Sequence, residues 1–193
     1  MPETEPKTGK LSSFLLDILQ TIVLALAIFM IAYLFLFQPH QVKGHSMDPN
    51  FSDGEYLLTD KLSYRFGEPK RGDVVVFEAP VNRREDYIKR ILALPGENVM
   101  VKDGKVLING RPLDEEYIPE TFRTNPGVYL ADGSTITLRP DEYIVMGDNR
   151  DHSSDSRSWG PVKKSDLVGR AWVIYWPPKL WGLVKGEKYK PLN

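Results

Sequence analysis

Residues 18–37 read ILQTIVLALAIFMIAYLFLF, twenty positions with no charge and only Gln20 and Thr21 strongly polar. At about 1.5 Å per helical residue, a run of that length matches the thickness of a hydrocarbon core. A buried helix of a water-soluble domain usually shows a polar face, whereas this run is apolar all round. It is also longer than the apolar stretch of a cleaved signal peptide, and the FQPHQVKGHS around and after its end offers no small-x-small cleavage site. The expectation is a retained transmembrane helix, assigned with its flanks to residues 14–38. Lys7 and Lys10 before it, against Lys43 after it, lean toward a cytoplasmic N-terminus. Residues 1–13 are expected to form a short cytoplasmic tail, disordered over MPETEPKTGK.

Residues 39–193 are enough for one domain with its own core. Their texture is short apolar runs punctuated by glycine, proline and aspartate: EYLLTDKL, DVVVFEAP, DYIKRILAL, KVLING, EYIVMGD and RAWVIYW. Such runs predict strands, and KDGK at 102–105 predicts a hairpin turn. The domain is therefore expected to be mostly β. Residues 163–168 suit a short helical turn capped by Ser165. Residues 111–140 carry weaker strand signals and are expected to be a cap or insertion on the β core.

Composition narrows the chemistry. The chain has no cysteine, which excludes disulfides, thiolate metal sites and a cysteine nucleophile. Its 25 basic and 26 acidic residues are interspersed at a net charge of -1, without the basic stripe that would bind nucleic acid. Hydroxyl, amine, carboxylate and imidazole groups remain.

Three stretches concentrate such groups. GHSMDP at 44–49 puts Ser46 in a glycine-flanked, proline-ended turn, although the hexapeptide alone also suits a serine bonded to its own backbone. A serine hydroxyl needs a base to take its proton. Of the three histidines, His40, His45 and His152, His45 is its neighbour in sequence and points elsewhere, while His152 would have to arrive through the fold. Lys89, in DYIKRILAL, has apolar neighbours whose burial would lower its pKa and leave a neutral amine, although a strand lysine ordinarily reaches solvent. The third stretch, GDNRDHSSDSRSWGPV at 147–162, is dense in hydrogen-bonding groups and reads as an ordered polar loop.

With GHSMDP, YIKRILALPGE and GDNRDHSSDSR in this order behind an apolar helix, and LLTDKLSYRFGEPKRGDVVVF at 57–77 between the first two, the chain resembles the bacterial type I signal peptidases. The resemblance implies a signal-peptidase-like β catalytic domain behind one membrane helix. It also implies a serine endopeptidase of the bacterial inner membrane, single-pass, with its catalytic domain outside the cytoplasm. Its partners would be signal-peptide-bearing preproteins and membrane lipid, with no metal or cofactor required. By the same matching, Ser46 is the nucleophile and Lys89 the base. Ser153 orients the amine, Asp155 and Arg157 support the site, and Asp148 with Arg90 forms a structural ion pair. Val42, Met47, Tyr87 and Ile88 would line shallow pockets for small substrate side chains. Some members carry a serine where this chain has Gly44, so the oxyanion hole is expected to rest on the backbone N–H of Ser46 with help from Gly44.

Three other readings use the same residues. A Ser-His hydrolase could draw on Ser46, His152 and Asp148 or Asp155. The self-cleaving repressors also use Ser-Lys chemistry but carry a DNA-binding domain where this chain has its apolar helix. A non-catalytic anchored β domain would only bind peptide.

Overall fold

The computed structural model describes residues 8–187 and Tyr189. The chain divides into two units, the first ending at Phe37 and the second beginning at Gln38. In the first, helix α1 spans Thr8–Leu36. Its stretch Leu11–Tyr33 has a mean hydropathy of 2.5, long and apolar enough to cross a membrane. Thr21 Oγ1 donates to Asp17 O at 2.8 Å, so this polar side chain of the apolar run is satisfied within the helix. The helix starts earlier than the expected tail boundary allows. Residues 8–13 are helical, with Ser12 and Ser13 bonded back to Gly9 O, while residues 1–7 lie outside the described part.

The second unit is built of strands: β1 (Phe37–Gln41, its first residue the last of the first unit), β2 (Tyr56–Asp60), β3 (Val74–Ala79), β4 (Asn82–Ala93), β5 (Asn98–Lys102), β6 (Lys105–Ile108), β7 (Arg111–Pro112), β8 (Ile136–Thr137), β9 (Glu142–Met146), β10 (Val162–Lys163), β11 (Leu167–Trp176) and β12 (Gly182–Leu183). Two single-turn helices interrupt them, α2 (Ser63–Phe66) and α3 (Ser156–Trp159). One sheet runs β1-β2-β11-β3-β4-β9-β10, with β12 also on β11, and a smaller sheet runs β7-β6-β5-β8. The paired strands whose registers are described are antiparallel.

The run VVVF makes sense as a strand buried on both faces. Val74 and Val76 of β3 pack with Val42, Met47, Phe51 and Leu57, while Val75 and Phe77 pack with Ile91, Tyr143 and Val145. Each fully buried aliphatic side chain contributes about 1.5–3 kcal/mol. In the β5–β6 hairpin, Asp103 and Gly104 hold φ of 53° and 75°, the pair of positive values that a two-residue turn of matching twist requires.

Residues 111–140, expected as a cap or insertion on the β core, take part in the smaller sheet. They supply β7 and β8 to the smaller sheet, and Leu113, Leu130 and Leu138 join its core beside Val99, Val101 and Ile108. The turn expected near 163–168 is a 3-10 turn at Lys164–Asp166, but Ser165 lies inside it and no side chain caps it.

Candidate active site

The loop after β1 is shaped by what flanks it. Val42 N donates to Glu55 O at 2.8 Å and Gly54 N to Val42 O at 2.9 Å, which ties the loop's two ends together. Gly44 turns the chain with φ of +80°, a conformation that favours glycine. Beyond Ser46, Asn50 N and Phe51 N both donate to Met47 O, at 3.1 and 3.0 Å. The side chains of Met47 and Phe51 plug the loop into the core. Ser46 O accepts from Asn149 N at 3.1 Å, joining this loop to the polar loop that follows β9.

Lys89 reaches the same point from β4. Its Nζ donates to Ser46 Oγ at 2.8 Å and to Ile88 O at 2.9 Å. The residue is 5% exposed. Burial brings its pKa down from 10.5 to about 8, against the opposing pull of the Asp155 and Asp148 charges. A neutral amine held to Ile88 O by one N–H would turn its lone pair toward Ser46. The arrangement can deprotonate a serine hydroxyl.

Ion pairs brace the rest. Arg90 meets Asp148 through two bonds, Nε to Oδ1 at 2.8 Å and Nη2 to Oδ2 at 2.6 Å, with both side chains buried. Asn50 Nδ2 also donates to Asp148 Oδ2, at 2.9 Å. Asp155 caps α3, accepts from Gly147 N at 3.2 Å and receives the Arg157 guanidinium at 2.8 and 2.9 Å. Arg157 in turn donates to the carbonyls of Asn125, Arg150 and Ser153, so it staples the polar loop from within.

Sequence reasoning missed several of the residues that do this work. Arg150 is buried and binds Glu115, Thr124 and Tyr117, which makes the 111–140 segment a buttress of the polar loop. At Gly147 a Cβ would lie 2.3 Å from both Ser153 Oγ and Ser46 O, so only glycine lets the two loops meet here. A glycine at the exit of the buried strand EYIVM was the available signal for such a close approach. Asp53 accepts the Gly44 N–H at 2.7 Å, and nothing local in the sequence marked it.

That last bond corrects the expected oxyanion hole. The Gly44 N–H is committed to a carboxylate and is not available to a reacting oxygen, whereas Ser46 N–H has no partner among the described residues. A second correction concerns Met47, which is 0% exposed in the core and is not among the residues that line the cleft beside Ser46 and Lys89. Val42, Tyr87 and Ile88 do line a cleft of about 780 Å³ beside Ser46 and Lys89. Ser153 Oγ is buried beside Ser46 and has no hydrogen-bond partner among the described residues, so its bond to Lys89 is not made in this state. His152 is exposed and lines the cleft, while Ser46 Oγ is joined to Lys89.

The cleft lies between two strand stretches. β4 pairs with β9 only from Arg90 onward, which leaves its edge before that point open on one side, and β1 is the end strand of its sheet. Both run toward the Ser46–Lys89 contact. Near it the lining is apolar (Val42, Leu57, Val76, Ile88), and farther out it turns polar.

Residues 15–176 match the family described as signal peptidase, peptidase S26. The chain is 35% identical to signal peptidase I of Leptolyngbya laminosa, over 91% of this chain and 88% of that one. It is 33% identical to signal peptidase IB of Staphylococcus aureus, over 84% and 90%. The probable signal peptidase I-2 of Synechocystis is 35% identical, over 89% and 78%. Long, near-complete matches of this kind leave one conclusion: the chain belongs to the signal peptidase family, peptidase S26, a family of serine proteases.

Proposed function

We propose that this chain is a membrane-anchored endopeptidase that removes signal peptides from exported preproteins with a Ser46–Lys89 dyad. The observation that carries the proposal is the 2.8 Å contact between Lys89 Nζ and Ser46 Oγ at the wall of an open cleft. Neutral Lys89 takes the Ser46 proton as Oγ attacks the scissile carbonyl, and the resulting ammonium protonates the departing amine. The Ser46 N–H stabilises the oxyanion. Lys89 then activates a water that releases the acyl-enzyme. Ser153 Oγ, buried and without a hydrogen-bond partner among the described residues, accepts a bond from the lysine during this cycle and so orients it.

An extended substrate segment adds to the open edge of β4 and the end strand β1, running parallel to both because both lead to the dyad. The apolar lining near Ser46 admits small side chains beside the cut. Helix α1 holds the enzyme in the bacterial inner membrane, with the N-terminus cytoplasmic and the β domain outside the cytoplasm. To test the dyad, purified preprotein is incubated in detergent with the wild type, Ser46→Ala and Lys89→Ala, and the new N-terminus is sequenced. Loss of cleavage in both variants is expected; robust cleavage by either rejects the dyad.

A further inference from the structure

The polar end of the cleft has a construction of its own. His40, on β1, sets Nε2 3.0 Å from Asp86 Oδ2 on β4, while its Nδ1 lies 2.9 Å from Thr59 Oγ1 on β2. Thr59 is fully buried, so the imidazole is anchored from behind. Gln38, itself bonded by Lys61 at 3.3 Å, stands 3.2 Å from the same Nε2. His40 and Asp86 thus join the two strands that flank the cleft, with side-chain exposures of 15% and 30%. Asp86 Oδ1 receives no hydrogen bond from any described residue.

Strand periodicity places this pair relative to the cut. Side chains of an extended chain face the same way every second residue. Val42, just past the end of β1, and Ile88 of β4 lie beside the dyad, and His40 and Asp86 come two residues earlier along the same two chain segments, on the same face. A substrate running parallel to both strands therefore sets the residue before the cut over Val42 and Ile88. Its next inward-facing side chain, the third before the cut, falls over His40 and Asp86. Arg84, which also lines the cleft, stands two residues farther out on β4 and disfavours a cation there.

We propose that His40 and Asp86 form a polar subsite that selects a neutral hydrogen-bonding side chain, such as threonine or serine, at the third residue before the cleaved bond. Asp86 Oδ1 accepts the substrate hydroxyl, and the His40 contact fixes the carboxylate. An aliphatic side chain of the same shape would cover the pair without satisfying Oδ1, which is the more costly arrangement. This subsite rests on the peptidase reading given above.

Threonine and valine are nearly isosteric, so they isolate the hydrogen bond. The full-length enzyme in detergent is given three versions of one preprotein, with Ala, Thr or Val at the third residue before the cut. Wild type is expected to favour Thr over Val by about threefold to tenfold in kcat/KM, the factor of one net hydrogen bond. His40→Phe and Asp86→Leu are each expected to reverse the preference toward Val, with the Ala version reporting that the variant is active. A wild-type ratio of one or less, or an unchanged ratio in both variants, overturns the subsite. Should one variant be inactive on all three substrates, the ratio in the other decides; inactivity of both overturns the proposal, because the pair would then serve the fold. If wild type cleaves none of the three, or Ser46→Ala cleaves as well, the peptidase reading itself fails.

Discussion

Lys89 and Arg90 are consecutive on β4, both nearly buried, and the protein treats them in opposite ways. Neighbouring residues of a strand face opposite sides. On one side Arg90 finds Asp148, and two short bonds make a closed ion pair. Burial works against its charge, but the Asp148 bonds outweigh it and hold the guanidinium's pKa above its usual value. On the other side Lys89 finds a hydroxyl and a carbonyl, with no carboxylate of the described residues in contact, and burial draws its pKa down to about 8. A buried cation with its counter-ion in hand is structural; a buried cation without one becomes a base. The dyad proposed above sits where the ion pair was left out.

The comparison breaks most directly through activity. Lys89→Met should lower kcat/KM by roughly 10^4-fold, and adding Ser46→Ala should lower it little further, because groups that act as a unit are not additive. Next in size is Arg90→Met, which strands Asp148 as a buried, uncompensated charge. Guanidinium unfolding of the purified protein should show a loss of about 3–5 kcal/mol. The same measurement on Lys89→Met should move the other way.

The direction of that effect is set by the pKa shift. The folded pKa, about 8, lies below the unfolded 10.5, so the unfolded chain binds more protons between those values and stability rises with pH across that window. The full penalty is felt below pH 8. Lys89→Met should therefore be more stable than wild type by roughly 2 kcal/mol at pH 6–7, with the gain fading toward pH 10.5. In wild type kcat/KM should climb with pH and level off above about 8, and a flat profile from pH 6 to 9 would remove Lys89 as the base. The smallest effect belongs to Ser153→Ala: about a tenfold loss of rate with stability changed by less than about 0.5 kcal/mol, since its hydroxyl gives up no bond in the resting state. A large loss of stability there would make Ser153 a structural residue.

Much of the architecture was legible in the chain itself. The apolar run is a local property, so its helix could be read directly, and only its bounds moved, from 14–38 to Thr8–Leu36. The strands came through because runs such as VVVF and EYIVM can be buried only as extended segments between turn residues. Ser46, Lys89 and the polar loop stood out because their residue types and order resemble a family.

The features that failed to come through depend on which distant atoms meet. That Gly44 gives its N–H to Asp53, that Met47 points into the core and that Arg150 draws residues 115–124 under the polar loop are contacts between segments separated by chain reversals. The pairing of His40 with Asp86 spans 46 residues in the same way. Sequence by itself determined the membrane-length helix, the β character of the domain behind it and the chemical groups available, because hydrophobic run length and periodicity are local. The roles of the two adjacent cations were reached from the sequence only through a family resemblance; what gives Arg90 a counter-ion and leaves Lys89 without one is the tertiary structure, because desolvation and pairing are set by neighbours that only folding brings near.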